Sequence, residues 1–198
     1  MAMQSVDQRI DTDPVLIPMQ VELDQRELMK LRGGLTLMLM GLAVPILLLV
    51  ELRYILVGTY ISPHVHQGIG IAGLLVMIVA GIFNSLASKA TKQNQPKAVL
   101  THSGWAIFIG LIAWVLIGIQ VVNRSMPGIS HYGETYLVSA GTVDVYITFT
   151  LLAVYAARSR VKRLGDFVKN YWGVQSSAIT WWFVTVVWLV IYIELYLI

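Results

Sequence analysis

The sequence predicts an all-α membrane protein, a bundle of five transmembrane helices with its N-terminus in the cytoplasm and its C-terminus outside. Three observations predict it. Charged residues make up 13% of the 198-residue chain and hydrophobic residues 57%, whereas soluble domains carry about 25% charge. Five apolar runs each approach the roughly 20 residues a helix needs to cross hydrocarbon. Twelve of the 14 Lys and Arg residues fall on one side once those runs are threaded through a bilayer.

The elements follow in chain order. Residues 1–33 form a cytoplasmic N-terminal arm. Its six acids and the lack of an early apolar core exclude a signal peptide. Pro14 and Pro18 argue for extended chain, and VELDQRELMKLR for a short amphipathic helix on the inner surface. A docking arm for a partner and a flexible tail are both open readings. Residues 34–198 form the bundle, with spans near 34–58, 68–88, 101–122, 135–157 and 175–197. Runs such as LLVMIVAGIF are apolar throughout, whereas the strands of a membrane barrel alternate apolar and polar residues. Backbone groups in lipid must bond within their own segment, so these runs are helices.

Orientation follows from the basic residues. Arg9, Arg26, Lys30 and Arg32 precede the first span. Lys89, Lys92 and Lys97 lie between the second and third, and Arg158, Arg160, Lys162, Arg163 and Lys169 between the fourth and fifth. Only Arg53 and Arg124 fall on the opposite side. The net charge of +3 is spread as short clusters between apolar runs, which is membrane patterning and not the basic face a nucleic-acid partner needs. With no cysteine in the chain, disulfides, iron–sulfur clusters and thiolate chemistry are excluded.

Ionisable groups within spans are costly and mark function or a partner. Asp144 lies about a third of the way into the fourth span from the outer side, as a candidate buried acid. A proton-related role, a contact with a partner subunit and a structural role all stay open, and a buried charge there needs a polar neighbour, such as a span-five hydroxyl. Glu51 and Glu194 lie at the outer ends of the first and fifth spans, where a headgroup-level acid or a pairing with Arg53 accounts for them. A bis-histidine haem needs two histidines facing each other at one depth. His64 and His66 lie in the first outer loop, His131 in the second, and His102 alone at the inner surface. No nucleophile–base arrangement or Gly-rich phosphate loop occurs. No residue is therefore assigned a catalytic, cofactor-binding or metal-ligating role. Glycines such as Gly70, Gly73, Gly81, Gly110 and Gly118 fall within spans, where small residues let helices approach. Trp181, Thr185, Trp188 and Tyr192 share a helical face by their spacing. They are candidates for a lipid or subunit contact, with packing inside the bundle as the alternative.

The last two spans also carry a resemblance. Trp181-Trp-Phe-Val-Thr-Val-Val-Trp188, followed by Leu195-Tyr-Leu, resembles the last helix of subunit III of haem–copper terminal oxidases. Gly141-Thr-Val-Asp-Val-Tyr-Ile147 is similar to that family's Gly-Thr-His-Gly-Leu-His-Val segment, and Ser85 falls in a matching small, hydroxyl-rich helix. The five-span topology matches the family's shorter form. Trp182 and Thr185 stand at the family's His and Asp, Val143 and Tyr146 at its two His, and Leu42 or Ala43 where it has a carboxylate. The family's polar network is thus not carried over.

The resemblance implies a multi-pass protein of the bacterial inner membrane, an accessory subunit of a proton-pumping oxidase that reduces oxygen to water. It implies oxidase subunits I and II as partners, with haem and copper there and no cofactor in this chain, together with membrane lipids held in a cleft between helices one–two and three–five. Other respiratory complexes are further candidate partners; the donor, cytochrome c or quinol, is left open. Two alternatives are a structural subunit of another membrane complex and a small stand-alone transporter.

Overall fold

In a computed structural model the described residues are 25–63, 65–122, 130–164 and 171–197. Residues 1–24, which include Arg9 and most of the arm, lie outside them, as do His64, Arg124 and Lys169. Five α-helices account for nearly all of what is described: α1 Gln25–Val57, α2 Gln67–Lys92, α3 Pro96–Val122, α4 His131–Leu164 and α5 Trp172–Tyr196. Each is long and apolar enough to cross a bilayer. The chain is a multi-pass helical membrane protein.

Local chemistry sets the helix ends. After α2, Asn94 adopts φ 50, a left-handed conformation that asparagine tolerates better than most residues. Asn94 N–H then donates to the Thr91 carbonyl at 3.2 Å and Gln95 N–H to the Ala90 carbonyl at 3.1 Å, the paired bonds of a Schellman stop. Pro96 follows at once as the first residue of α3, where its missing N–H costs nothing. Ser130 Oγ accepts from Gly133 N–H at 3.1 Å at the start of α4, a serine cap. Glu134 in the first turn and Lys162 and Arg163 in the last complement the helix dipole. Gly58, at φ 64, ends α1 by donating its N–H to the Tyr54 carbonyl at 3.2 Å.

Helices α2, α3, α4 and α5 form a four-helix ring in which each packs against the next and α5 closes on α2. Thirteen residues of α5 are buried, from Val174 to Tyr196. Without a hydrophobic force between helices in lipid, close approach and dispersion hold such a ring. The buried faces of α2 and α3 are therefore rich in small residues, which admit large side chains from α4 and α5. Gly110 shows the reason: a Cβ there would stand 2.6 Å from Trp181 Cη2 and 2.8 Å from Leu151 Cδ2. Gly70 likewise makes room for Tyr192 and Tyr196, at 2.9–3.1 Å.

Helix α1 sits outside this ring, against α4 and α5. From Arg26 to Val57, only Ile46 and Arg53 are buried. The middle of α1 is tied to α4 by Tyr146, whose hydroxyl donates to the Leu42 carbonyl at 3.0 Å, close to Pro45, which leaves the Gly41 carbonyl without its helical donor. Of the segment VELDQRELMKLR, expected as an inner-surface helix, residues 21–24 lie outside the described residues. From Gln25 onward its residues are the first turns of α1.

Candidate functional site

A linked cluster of buried polar residues stands at the outer end of the bundle, defined as the end away from the basic turns of α2 and α4. Thr91, Ser103 and Ser177 are buried singly nearer the other end. Arg53 of α1 and Glu194 of α5 are both buried, and Arg53 Nε lies 4.0 Å from Glu194 Oε1. The guanidinium also donates through Nη1 to the Gly58 carbonyl at 3.1 Å and through Nη2 to the Tyr60 carbonyl at 3.4 Å. It faces the rings of Tyr54 and Tyr132 at 5.7 and 5.9 Å, within cation–π range. One side chain thus holds the end of α1, the turn after it, and α5.

Next to the pair stands a tyrosine cluster. Tyr132 hydroxyl donates to the Leu195 carbonyl at 2.6 Å. Tyr136 hydroxyl donates to Gln120 Oε1 at 2.9 Å and lies 2.7 Å from the Tyr196 hydroxyl, which also bonds Gln120 Oε1. Gln67 Nε2 donates to the Tyr196 carbonyl at 3.0 Å. The rings of Tyr192 and Tyr196 stack with centroids 4.9 Å apart. Together these groups link all five helices through buried and part-buried polar contacts. Such a network is strong when its members are satisfied. Here Arg53 Nε and both Glu194 carboxylate oxygens have no hydrogen-bond partner, so for the carboxylate the ion pair alone offsets the cost of burial, while Arg53 also has its carbonyl bonds and ring contacts.

The acids and aromatics singled out in the sequence fall in different places. Glu194 pairs with Arg53, one of its two accounts, while Glu51 is exposed. Asp144 is half-buried between α4 and α3, where a Cβ on Gly118 would lie 3.8–3.9 Å from its carboxylate oxygens. Its Oδ1 is buried without a hydrogen bond. The span-five hydroxyl expected to meet it does not: Thr185 Oγ1 donates to the Trp181 carbonyl of its own helix at 2.9 Å. Replacing Asp144 by Asn removes a charge that no side chain offsets. The isolated chain is expected to gain about 1 kcal/mol in thermal unfolding in mild detergent, and a clear loss would show that a partner for the carboxylate is present.

Trp181, Thr185, Trp188 and Tyr192 are all buried inside the bundle, in line with packing, the alternative to a lipid or subunit contact. Their shared face points at α2. Trp181 Nε1 donates to the Met77 carbonyl at 2.9 Å and Trp188 Nε1 to the Gly70 carbonyl at 3.2 Å. Glycine and methionine on α2 leave backbone within reach of the indoles, and that draws the face inward.

Two crevices flank the inner half of α1. One, of about 690 Å³, runs between α1 and α4–α5 past Met38, Phe149 and Val184, with Lys30 at its inner end. The other, of about 490 Å³, runs between α1 and α2–α5, with Arg32 and Lys92 at its rim. The cleft expected between helices one–two and three–five is thus displaced, because α2 packs into the ring and α1 alone stands apart.

Gln120, Tyr132, Tyr136 and Tyr196 escaped the sequence reading. A signal existed: Tyr132 and Tyr136, like Tyr192 and Tyr196, are four residues apart at the outer ends of helices, so each pair shares a face. Among the described residues no group of three or more His, Cys, Asp or Glu gathers that could hold a metal. No protein-family model matches the chain, and no curated protein matches it.

Proposed function

We propose that this chain is a non-catalytic subunit of a larger membrane complex, and specifically a divergent subunit III of a proton-pumping haem–copper oxidase. One observation carries the subunit reading. From Arg26 to Pro45 no residue of α1 is buried, so a long apolar helix face is left for lipid or a neighbouring chain. The oxidase reading rests on the likeness of the Trp181–Trp188 and Gly141–Ile147 segments to that family. In this reading the N-terminus is cytoplasmic in a bacterial inner membrane, in keeping with the basic turns. Haem and copper belong to subunits I and II, and this chain stabilises the catalytic subunit and binds lipid in the crevices beside α1.

The interior supports a scaffold over a transporter. Transporters place polar groups and broken helices near the bilayer midplane. Here the middle of the ring is filled by Met77, Ala113, Ile117, Ile147, Trp181 and Trp188, all essentially inaccessible. Purification in mild detergent tests the proposal. The chain is expected to bring down haem-bearing subunits with an oxidase absorption spectrum, and a colourless preparation that transports a solute unaided would overturn it.

A further inference from the structure

Away from α1, a third crevice of about 370 Å³ opens on the surface of the bundle where α3 meets α4. Its floor is Gly104 and its walls are Leu100, Thr101, Trp105, Phe108 and Arg158. The guanidinium of Arg158 lies flat over the glycine: a Cβ on Gly104 would stand 3.4 Å from Cζ, Nη1 and Nη2 alike. That is van der Waals contact distance, so only a side chain larger than alanine would displace the arginine, and a small residue gives the guanidinium its seat.

Among the described residues, Arg158 is a cation without an anion. Its Nε is buried and has no hydrogen-bond acceptor, and neither ion pair among the described residues includes it. Gly104 lies about two turns inside the start of α3, a depth of about 12 Å from the helix end, near the boundary between headgroups and hydrocarbon. An unpaired charge at that depth is costly unless something negative meets it. Lys97, one turn before Thr101 on α3, and Lys162, one turn after Arg158 on α4, are both exposed. Helical spacing puts each on the watery side of the groove. On the other side the wall is aromatic and open: Trp105 is 51% and Phe108 57% exposed, with their rings edge-on at 6.0 Å.

Three cations above an apolar aromatic wall match a molecule with a negative head and a hydrocarbon body. We propose that this groove binds an anionic glycerophospholipid, with its phosphate on Arg158 and its acyl chains along Trp105 and Phe108. The planar guanidinium fork suits two phosphate oxygens at once, and basic pockets between helices are a recurrent form of lipid-headgroup recognition. The site is separate from the crevices beside α1 and holds whether or not the chain belongs to an oxidase.

Native mass spectrometry of the full chain, titrated with phosphatidylglycerol or phosphatidylcholine, tests it. The wild-type chain is expected to bind phosphatidylglycerol more tightly than phosphatidylcholine. Arg158→Gln is expected to weaken phosphatidylglycerol binding about fivefold, the share of one basic residue near a membrane surface, and Arg158→Lys less. Equal affinity for the two lipids in the wild-type chain, a comparison that needs no variant, would overturn the proposal. So would full phosphatidylglycerol affinity in a folded Arg158→Gln chain. Displacement of the lipid by millimolar inorganic phosphate would reduce the site to an anion pocket and overturn it as well.

Discussion

Replacing Glu194 by leucine is expected to destabilise the protein by about 3–5 kcal/mol, because it leaves the Arg53 guanidinium buried without its counter-charge. Thermal or SDS-induced unfolding in mild detergent, followed by circular dichroism, reads the effect. The double variant Arg53→Met, Glu194→Leu removes both charges and is expected to recover most of the loss, since a buried pair is often no better than apolar side chains of similar volume. Recovery falls short of complete because Arg53 also holds the carbonyls of Gly58 and Tyr60. If the single Glu194→Leu change left unfolding unaltered, the carboxylate would not be the partner that Arg53 requires.

The second large effect belongs to Trp181. Its side chain is 1% exposed, fills the notch over Gly110 and donates to the Met77 carbonyl. Trp181→Ala opens a cavity that neighbouring helices cannot close without shifting, and is expected to cost about 3–5 kcal/mol in the same assay. Trp181→Phe keeps one ring but loses the hydrogen bond and part of the packing over Gly110, for an expected intermediate loss of about 2 kcal/mol. The adjacent Trp182 serves as the control. It is 36% exposed and bonds Ser85 Oγ at 2.8 Å across α5 and α2, so Trp182→Ala is expected to cost far less than Trp181→Ala. Equal losses at the two tryptophans would contradict the packing described for α5.

Five helices were legible from hydropathy alone, because crossing lipid requires a continuous apolar run and a satisfied backbone. Their ends were less so. Helix α4 runs through Arg158, Arg160, Lys162 and Arg163 to Leu164, beyond the 157 expected, since helical hydrogen bonds do not stop where the hydrocarbon does. The start of α1 at Gln25 has the same cause. At the candidate site, Glu194 and Arg53 stood out as charges in apolar surroundings, and their pairing was one of two accounts. The tyrosines and Gln120 did not stand out. A tyrosine near a helix end reads equally well as an interfacial anchor, and only the approach of α3, α4 and α5 turns four of them and an amide into one network. The face of Trp181 and Trp188 was visible as a face, but which neighbour it addressed depended on how the helices were arranged around α5.

The attachment of α1 has a consequence for how the molecule is put together. Helices entering the bilayer in chain order would deliver α1 first, yet its packing surfaces belong to α4 and α5, which arrive last. Until then it has only lipid for company. Assembly therefore closes like a latch rather than growing outward from its first span, with Glu194 meeting Arg53 only after the other four helices are in place.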